Sequence, residues 1–168
     1  VGPHDVAIAL VKATFADGFV KNRVLEFAGP GIASLPMDFR NGIDVMTTET
    51  TCLSSIWETD EQTEAFFAAH GRPEAYKKLF PGENAYYDRM IEIDLAAVEP
   101  MIALPFHPSN AYTIREFLAN AQELLAGVEA EARRRWPKAD VHLTDKIHDG
   151  AVWADQGIIA GCAGGMFD

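Results

Sequence analysis

Cysteine is scarce in this chain: Cys52 and Cys162 are the two in 168 residues. They are too few and too far apart for a disulfide scaffold, and a lone thiol is most often simply buried. Long apolar runs are missing too. No stretch approaches the roughly 20 residues that cross a bilayer, and the opening VGPHDV does not read as a charged-then-apolar leader. The expectation is a cytoplasmic protein with no membrane partner. Positive charge is in short supply, with 14 Lys and Arg against 25 Asp and Glu, a formal net charge of -11. That balance repels the phosphate backbone that dominates nucleic-acid affinity, and an anionic membrane surface as well. Nucleic acid is therefore not expected as a partner. His4, His70, His107, His142 and His148 fall into no HxxxH or HExxH spacing, which argues against a metal site made within this chain. There are no repeats, low-complexity tracts or charge blocks.

What is present is ordinary globular material, 48% hydrophobic and 23% charged. The length suits one domain or one and a fraction. Asp5 is placed to cap a helix running to about Ala16 and closed by Gly18. RVLEF at Arg23 to Phe27 predicts a short strand, ended by GPG at Gly29 to Gly31. Ser34 before Pro36 predicts a helix start, and Leu35, Phe39, Ile43 and Met46 keep helical spacing. Thr59 with Gln62 reads as a capping box, and Pro73 restarts a shorter helix over PEAYKKLF. RMIEIDL alternates like a strand near an edge. The proline-containing stretch Glu99 to Asn110 reads as an irregular linker and a domain boundary. Beyond it, Thr113 and Glu116 form a second capping box for a long helix that Pro137 stops, and VHL and GIIAG read as the last strands. Alternating helices and strands predict an α/β fold with a mixed or parallel sheet.

Two features carry chemistry. MTTETTCLSS surrounds Glu49 with Thr47, Thr48, Thr50, Thr51, Ser54 and Ser55. It is either a hydroxyl-rich helix end bearing a surface glutamate, or a site in which hydroxyls orient an acid. Cys162 lies among Gly161, Ala163, Gly164 and Gly165 at the end of a predicted strand. Glycine lets backbone approach a bulky group, although such a sequence is more often a tight turn than a ligand loop.

Taken in order, EFAGPGIASL, NGIDVMTTETTCLSSIWETD, YYDRMIEIDLAAVEPMIALPFHPSN and GIIAGCAGG resemble successive blocks of the aconitase family, the iron–sulfur hydro-lyases. The corresponding family segments are E-aromatic-x-GPG, N-M-x-x-E, D-x-V-I-E-I-N-L, P-x-x-x-x-P-F-x-P and G-S-C-T-N-S. The resemblance spans nearly the whole chain, except the long helix and VHLTDKIHDG, which look like an insertion. It implies a three-layer α/β/α aconitase-like domain over residues 1–105. A linker, the long helix and the first strands of a following domain then occupy 106–168. It implies a [4Fe–4S] cluster on three thiolates in the parent protein, with an open iron acting as Lewis acid. Cys162 matches one ligand, and the C-x-x-C that supplies the other two does not occur here. Glu49 falls on the family's acid near the substrate hydroxyl, where it accepts or relays a hydrogen bond.

Two departures stand out: the family's asparagine is Val45 here, and T-N-S after the cysteine is Ala163, Gly164, Gly165. Loss of such polar neighbours changes how a cluster is tuned, so the expectation is a divergent hydratase rather than the citrate enzyme. The family's catalytic serine, carboxylate-binding arginines and histidine–aspartate pairs have no counterpart in this chain. The reading is therefore an internal piece of a larger enzyme acting on a small hydroxy-carboxylic acid, completed by the remaining domains. Isolated, it is expected to be inactive and to bind no cluster. The alternative is a non-catalytic aconitase-like binding or scaffold module.

Overall fold

The computed structural model describes residues 1–161. Helix α1 (Pro3–Thr14) starts at proline, which has no N–H to lose in a first turn. Its cap is Gly2 rather than Asp5. Asp5 occupies the third helical position, and its Oδ2 accepts the Gly2 N–H at 2.7 Å. Val6, Ala7, Leu10, Val11 and Thr14 bury one side of α1, and the Thr14 hydroxyl donates to the Leu10 carbonyl at 2.8 Å.

Strands β1 (Val24–Phe27) and β2 (Ser54–Trp57) pair in parallel, with Val24 opposite Ser54 and Phe27 opposite Trp57. A parallel pair requires a crossover. Helix α2 (Met37–Asp44) and a 3₁₀ turn at Thr47–Thr50 supply it. The Phe27 and Trp57 rings stack at 4.1 Å across the pair. Helix α2 begins after Pro36, not at Ser34. The residue before a proline is pushed out of helical backbone, and Leu35 is extended at φ -97°, ψ 118°. Ser34 instead closes a 3₁₀ turn over Ile32–Ser34. The β-branched threonines that follow α2 tighten into the second 3₁₀ turn.

Helix α3 (Glu61–Ala69) is capped by Asp60, one residue after the predicted Thr59. Asp60 Oδ1 accepts from the Gln62 and Thr63 N–H groups at 3.1 and 3.2 Å. The same carboxylate meets Arg40, which is 2% exposed, so the cap and the buried ion pair are one residue. Arg40 donates from Nε to Leu35 O at 2.9 Å, from Nη2 to Ile32 O at 3.0 Å and from Nη1 to Asp60 Oδ1 at 3.1 Å. Thr59 is used differently: its hydroxyl donates to Lys77 O at 2.8 Å and accepts from Leu79 N–H at 2.7 Å. That clasp draws the chain out of helix, so the helix predicted from Pro73 is only a 3₁₀ turn at Pro73–Ala75.

RMIEIDL forms no strand. It runs beside the open edge of β1 across a groove of about 1100 Å³, lined by Val24 to Phe27 and by Tyr86 to Ile93. Alternation alone does not make a strand when no partner is within hydrogen-bond reach. Ile93 and Leu95 still pack against the first core. Leu95 Cδ1 lies 3.0 Å from where a Cβ on Gly31 would stand, so the last glycine of GPG lets Leu95 pack close to the backbone.

The stretch predicted as a linker is instead a hairpin. Strands β3 (Met101–Ala103) and β4 (Ala111–Thr113) pair antiparallel, and Asp5 Oδ1 accepts the Met101 N–H at 2.7 Å, tying α1 to β3. The Thr113 and Glu116 capping box is present: Glu116 N–H donates to Thr113 Oγ1 at 3.1 Å and Thr113 N–H to Glu116 Oε2 at 2.9 Å. The long helix is broken, however, into α4 (Ile114–Ala119) and α5 (Ala121–Arg135). At the joint, Asn120 Nδ2 takes the Glu116 carbonyl at 2.9 Å, the competition with backbone that makes asparagine a poor interior residue. Strands β5 (Ile147–His148) and β6 (Ala151–Val152) form a hairpin around Asp149 and Gly150, both at positive φ, as an Asp-Gly turn allows.

VHL makes no strand, nor does GIIA at 157–160. Ile158 and Ile159 are 81% and 91% exposed, with no strand beside them among the described residues. The result is an α/β protein with small parallel and antiparallel sheets and two cores. One gathers Val6, Ala7, Leu35 and Ile43; the other gathers Leu104, Phe117, Leu125 and Val128. No helix among the described residues is long and apolar enough to cross a membrane.

Candidate functional site

Glu49 stands in the 3₁₀ turn between α2 and β2, and the turn is fastened from both ends. Asp44 Oδ1, at the end of α2, accepts the Ser55 hydroxyl at 2.6 Å and Trp57 Nε1–H at 2.8 Å, locking the helix end to β2. The Thr47 hydroxyl donates to Asp44 O at 2.8 Å, and the wholly buried Thr50 donates to Thr47 O at 2.6 Å. Thr51 takes a left-handed backbone at φ 63°, uncommon for a β-branched residue, and turns the chain into β2. The hydroxyls of Thr47, Thr48 and Thr50 thus serve backbone carbonyls, and that of Ser55 serves Asp44. Among the described residues none is bonded to Glu49, because a 3₁₀ turn sends side-chain bonds back to residue i−3 while Glu49 points away and stays 47% exposed.

The group that Glu49 does face comes from the β3–β4 hairpin. His107 Nε2 lies 3.9 Å from Glu49 Oε2. The imidazole stacks on Phe15, just past the end of α1, with ring centroids 3.7 Å apart and planes 24° from parallel. Its Nδ1 accepts the Ser109 N–H at 3.1 Å and lies 2.9 Å from Ser109 Oγ. With Nδ1 committed as an acceptor, the neutral ring carries its proton on Nε2, the nitrogen turned toward Glu49. A half-exposed carboxylate beside an oriented imidazole can accept, hold or relay a proton at an oxygen-bearing substrate. His107 belongs to no metal-ligand spacing in the sequence. The usable signal was the position of a histidine and a serine two residues apart in the tight, proline-flanked PFHPSN.

Among the described residues no three His, Cys, Asp or Glu side chains come together as a metal site. Cys52 is half-buried, and its thiol is directed to Thr47 O at 3.3 Å. Cys162, the residue matched to a cluster ligand, lies outside the described residues.

Comparison with known proteins places the chain. The model of the aconitase family (aconitate hydratase) matches residues 1–168. The 3-isopropylmalate dehydratase large subunit of Campylobacter hominis is 36% identical over 116 residues, which cover 69% of this chain and 27% of that protein. The corresponding subunit of Acetivibrio thermocellus is 35% identical over 114 residues, 68% of this chain and 27% of that protein. The 2,3-dimethylmalate dehydratase large subunit of Eubacterium barkeri is 32% identical over 114 residues, with the same two shares, 68% and 27%. The chain therefore spans about a quarter of the length of the curated relatives it matches. On a match along its whole length, the chain belongs to the aconitase family, and its α/β fold is the aconitase-like one.

Proposed function

We propose that this chain is an internal part of an aconitase-like hydro-lyase that reversibly removes water from a small hydroxy-carboxylic acid, and that Glu49 is the catalytic group this part supplies. The observation that carries the reading is the placement of Glu49: the turn beneath it is fully bonded, no hydroxyl of the tract claims it, and it faces the Nε2 side of His107. Glu49 accepts a hydrogen bond from the substrate hydroxyl, or relays a proton to that oxygen as it leaves as water. The names of the relatives, isopropylmalate and dimethylmalate dehydratases, favour a branched malate-type acid over citrate.

The family resemblance brings a [4Fe–4S] cluster on three thiolates to the full-length protein, where it supplies Lewis acidity toward the substrate hydroxyl. This chain does not fit that group by itself. It has two cysteines, and the Cys52 thiol is directed to a backbone carbonyl. Cys162 is assigned as one ligand, the other two coming from the rest of the longer protein. The isolated chain is accordingly inactive and without a cluster. We divide it into an aconitase-like domain over 1–105 and the start of the following domain over 106–168. The first core draws on residues up to Val98 and the second on residues from Ile102 onward, so the parting of the cores falls a few residues before that boundary and the β3–β4 hairpin spans it. The partners are the remaining domains of the same protein, and the location is cytoplasmic.

The test is dehydration of isopropylmalate-type, dimethylmalate-type and citrate-type acids by the full-length protein after anaerobic reconstitution, with Glu49→Gln alongside. Formation of the unsaturated acid by the parent and a loss of at least ~100-fold in Glu49→Gln are expected. Wild-type turnover in Glu49→Gln sinks the assignment of the residue, and a parent inert toward all three acids sinks the function.

A further inference from the structure

Asp5 is one carboxylate with two duties. Its Oδ2 accepts the Gly2 N–H at 2.7 Å within α1, and its Oδ1 accepts the Met101 N–H at 2.7 Å from a strand 96 residues away. The Ile114 N–H donates to Pro100 O at 2.8 Å, so the next residue, Met101 opposite Thr113, turns its N–H away from β4. That outward N–H is the one Asp5 takes. Lys12 stands two turns along on the same helix face, its ammonium 5.2 Å from the Tyr112 ring centroid and 3.9 Å from Glu116 Oε2. Beyond the helix, Phe15 stacks on the His107 ring at 3.7 Å. The β3–β4 hairpin is therefore held along the whole of α1. Lys12 and Glu116 are half-exposed and screened by water, and stacked rings can slide, so the short charge-assisted bond at Asp5 is the directional contact. Val6 and Ala7, beside Asp5, lie in the first core, whereas Ile102 and Leu104, just past Met101, lie in the second.

We infer that Asp5 is a positioning residue for the proposed reaction: its bond to Met101 sets where the second core, through the β3–β4 hairpin, stands against the turn that carries Glu49. The inference deepens the proposed function and rests on Glu49 being the acid–base group. Glu49 stands on the first half of the chain, so its placement among the reacting groups depends on how the halves are joined. Asp5 lies about 15 Å along α1 from Phe15, ten residues at ~1.5 Å each, and acts only through the hairpin. A shift of about 1 Å made that far from the chemistry can cost about 100-fold in rate. The loss falls on the chemical step more than on substrate binding, because the carboxylate is spent on two backbone N–H groups.

The experiment uses the full-length reconstituted protein with Glu49→Gln, Asp5→Ala, Met101→Pro and Gly2→Pro. Asp5→Ala removes both bonds, Met101→Pro the one across to β3, and Gly2→Pro the one within α1. Proline is tolerated as the first residue of a strand, and a Cβ on Gly2 meets nothing closer than 4.0 Å. Asp5→Ala and Met101→Pro are each expected to lower kcat roughly 10- to 100-fold with KM changed less than about threefold. Combined, they are expected to lose no more than either alone, and Gly2→Pro to keep most of kcat. A wild-type kcat in Asp5→Ala while Glu49→Gln is inactive overturns this inference and leaves Glu49 standing. An active Glu49→Gln, or a parent inert toward hydroxy acids, overturns both. A loss in Gly2→Pro as large as in Asp5→Ala, or additive losses in the combined variant, overturns the positioning role. Hydrogen exchange read by mass spectrometry needs no turnover: the Met101 amide is expected to be protected in the unsubstituted protein. In Asp5→Ala exchange should quicken from Met101 through Asn110 and stay unchanged in α3. A freely exchanging Met101 amide in the unsubstituted protein, unchanged exchange in Asp5→Ala, or acceleration spread evenly over the hairpin and α3 overturns the inference.

Discussion

Replacing Asp60 by asparagine isolates the ion pair on which the site's scaffold hangs. Arg40 is 2% exposed and the Asp60 side chain 18%, with Oδ2 2.5 Å from Nη2 and Oδ1 3.1 Å from Nη1. Asparagine caps a helix as well as aspartate does, so the bonds from Gln62 and Thr63 to the start of α3 survive. What is lost is the counter-charge, and an uncompensated buried charge costs about 3–5 kcal/mol. A domain stable by roughly 5–15 kcal/mol stays measurable after such a loss. Asp60→Ala removes the cap as well and adds about 1 kcal/mol. Urea unfolding followed by tryptophan fluorescence reads both, since Trp57 stacks on Phe27 and donates to Asp44 beside the site.

The decisive comparison is a cycle. In an Arg40→Met background, Asp60→Asn should cost less than about 1 kcal/mol, because no guanidinium is left unpaired. Acid supplies an independent check. Hydrogen bonds from Arg40 hold the Asp60 carboxyl below its ordinary 3.8. A depressed folded-state pKa gives stability that is fully present above the unfolded value and lost as pH falls through the folded one. The gap between wild type and Asp60→Asn should thus be constant above about pH 4 and shrink below it. A cost below about 1 kcal/mol for Asp60→Asn, or the same cost with and without Arg40, refutes the reasoning.

Gly42→Ala should destabilise by about 1–3 kcal/mol in the same urea assay, since a Cβ there would stand 2.7 Å from Pro3 Cβ and Cγ where α1 packs on α2. Thr113→Ala should cost about 1 kcal/mol by removing the acceptor for the Glu116 N–H, with helix loss visible by circular dichroism. Glu129→Ala should speed proteolysis near Thr144, because Glu129 Oε1 accepts both the Thr144 N–H at 2.7 Å and its hydroxyl at 2.9 Å and nothing else replaces that clasp. Ser109→Pro removes the N–H that Nδ1 of His107 accepts, and should free the imidazole to take either tautomer, read by histidine NMR.

Local signals were legible wherever a short stretch satisfied its own backbone. The strand over Val24–Phe27, the GPG break and the Thr113–Glu116 capping box depend on neighbours within four residues and stand where the pattern puts them, as does the body of helix α1, whose cap is Gly2 rather than Asp5. The cap of α3 was misplaced by one residue because Asp60 is chosen by Arg40, 20 positions away. RMIEIDL and GIIA carry strand patterns without strands, since a ladder needs a second chain segment that periodicity cannot name. The hairpin at Met101–Thr113 hid behind its prolines for the opposite reason: it is made by pairing, not by propensity.

For the site, the sequence by itself determined the family and the scarcity of thiolates that keeps a three-ligand cage out of this chain, and it singled out Glu49 as the acid we propose. These are facts of residue identity and order, which folding does not alter. Only the tertiary structure decided that the threonine hydroxyls turn to backbone and that Glu49 faces His107, 58 residues farther along the chain, since a hydrogen bond is chosen by distance and direction, and both are set by packing α1, the 3₁₀ turn and the β3–β4 hairpin together.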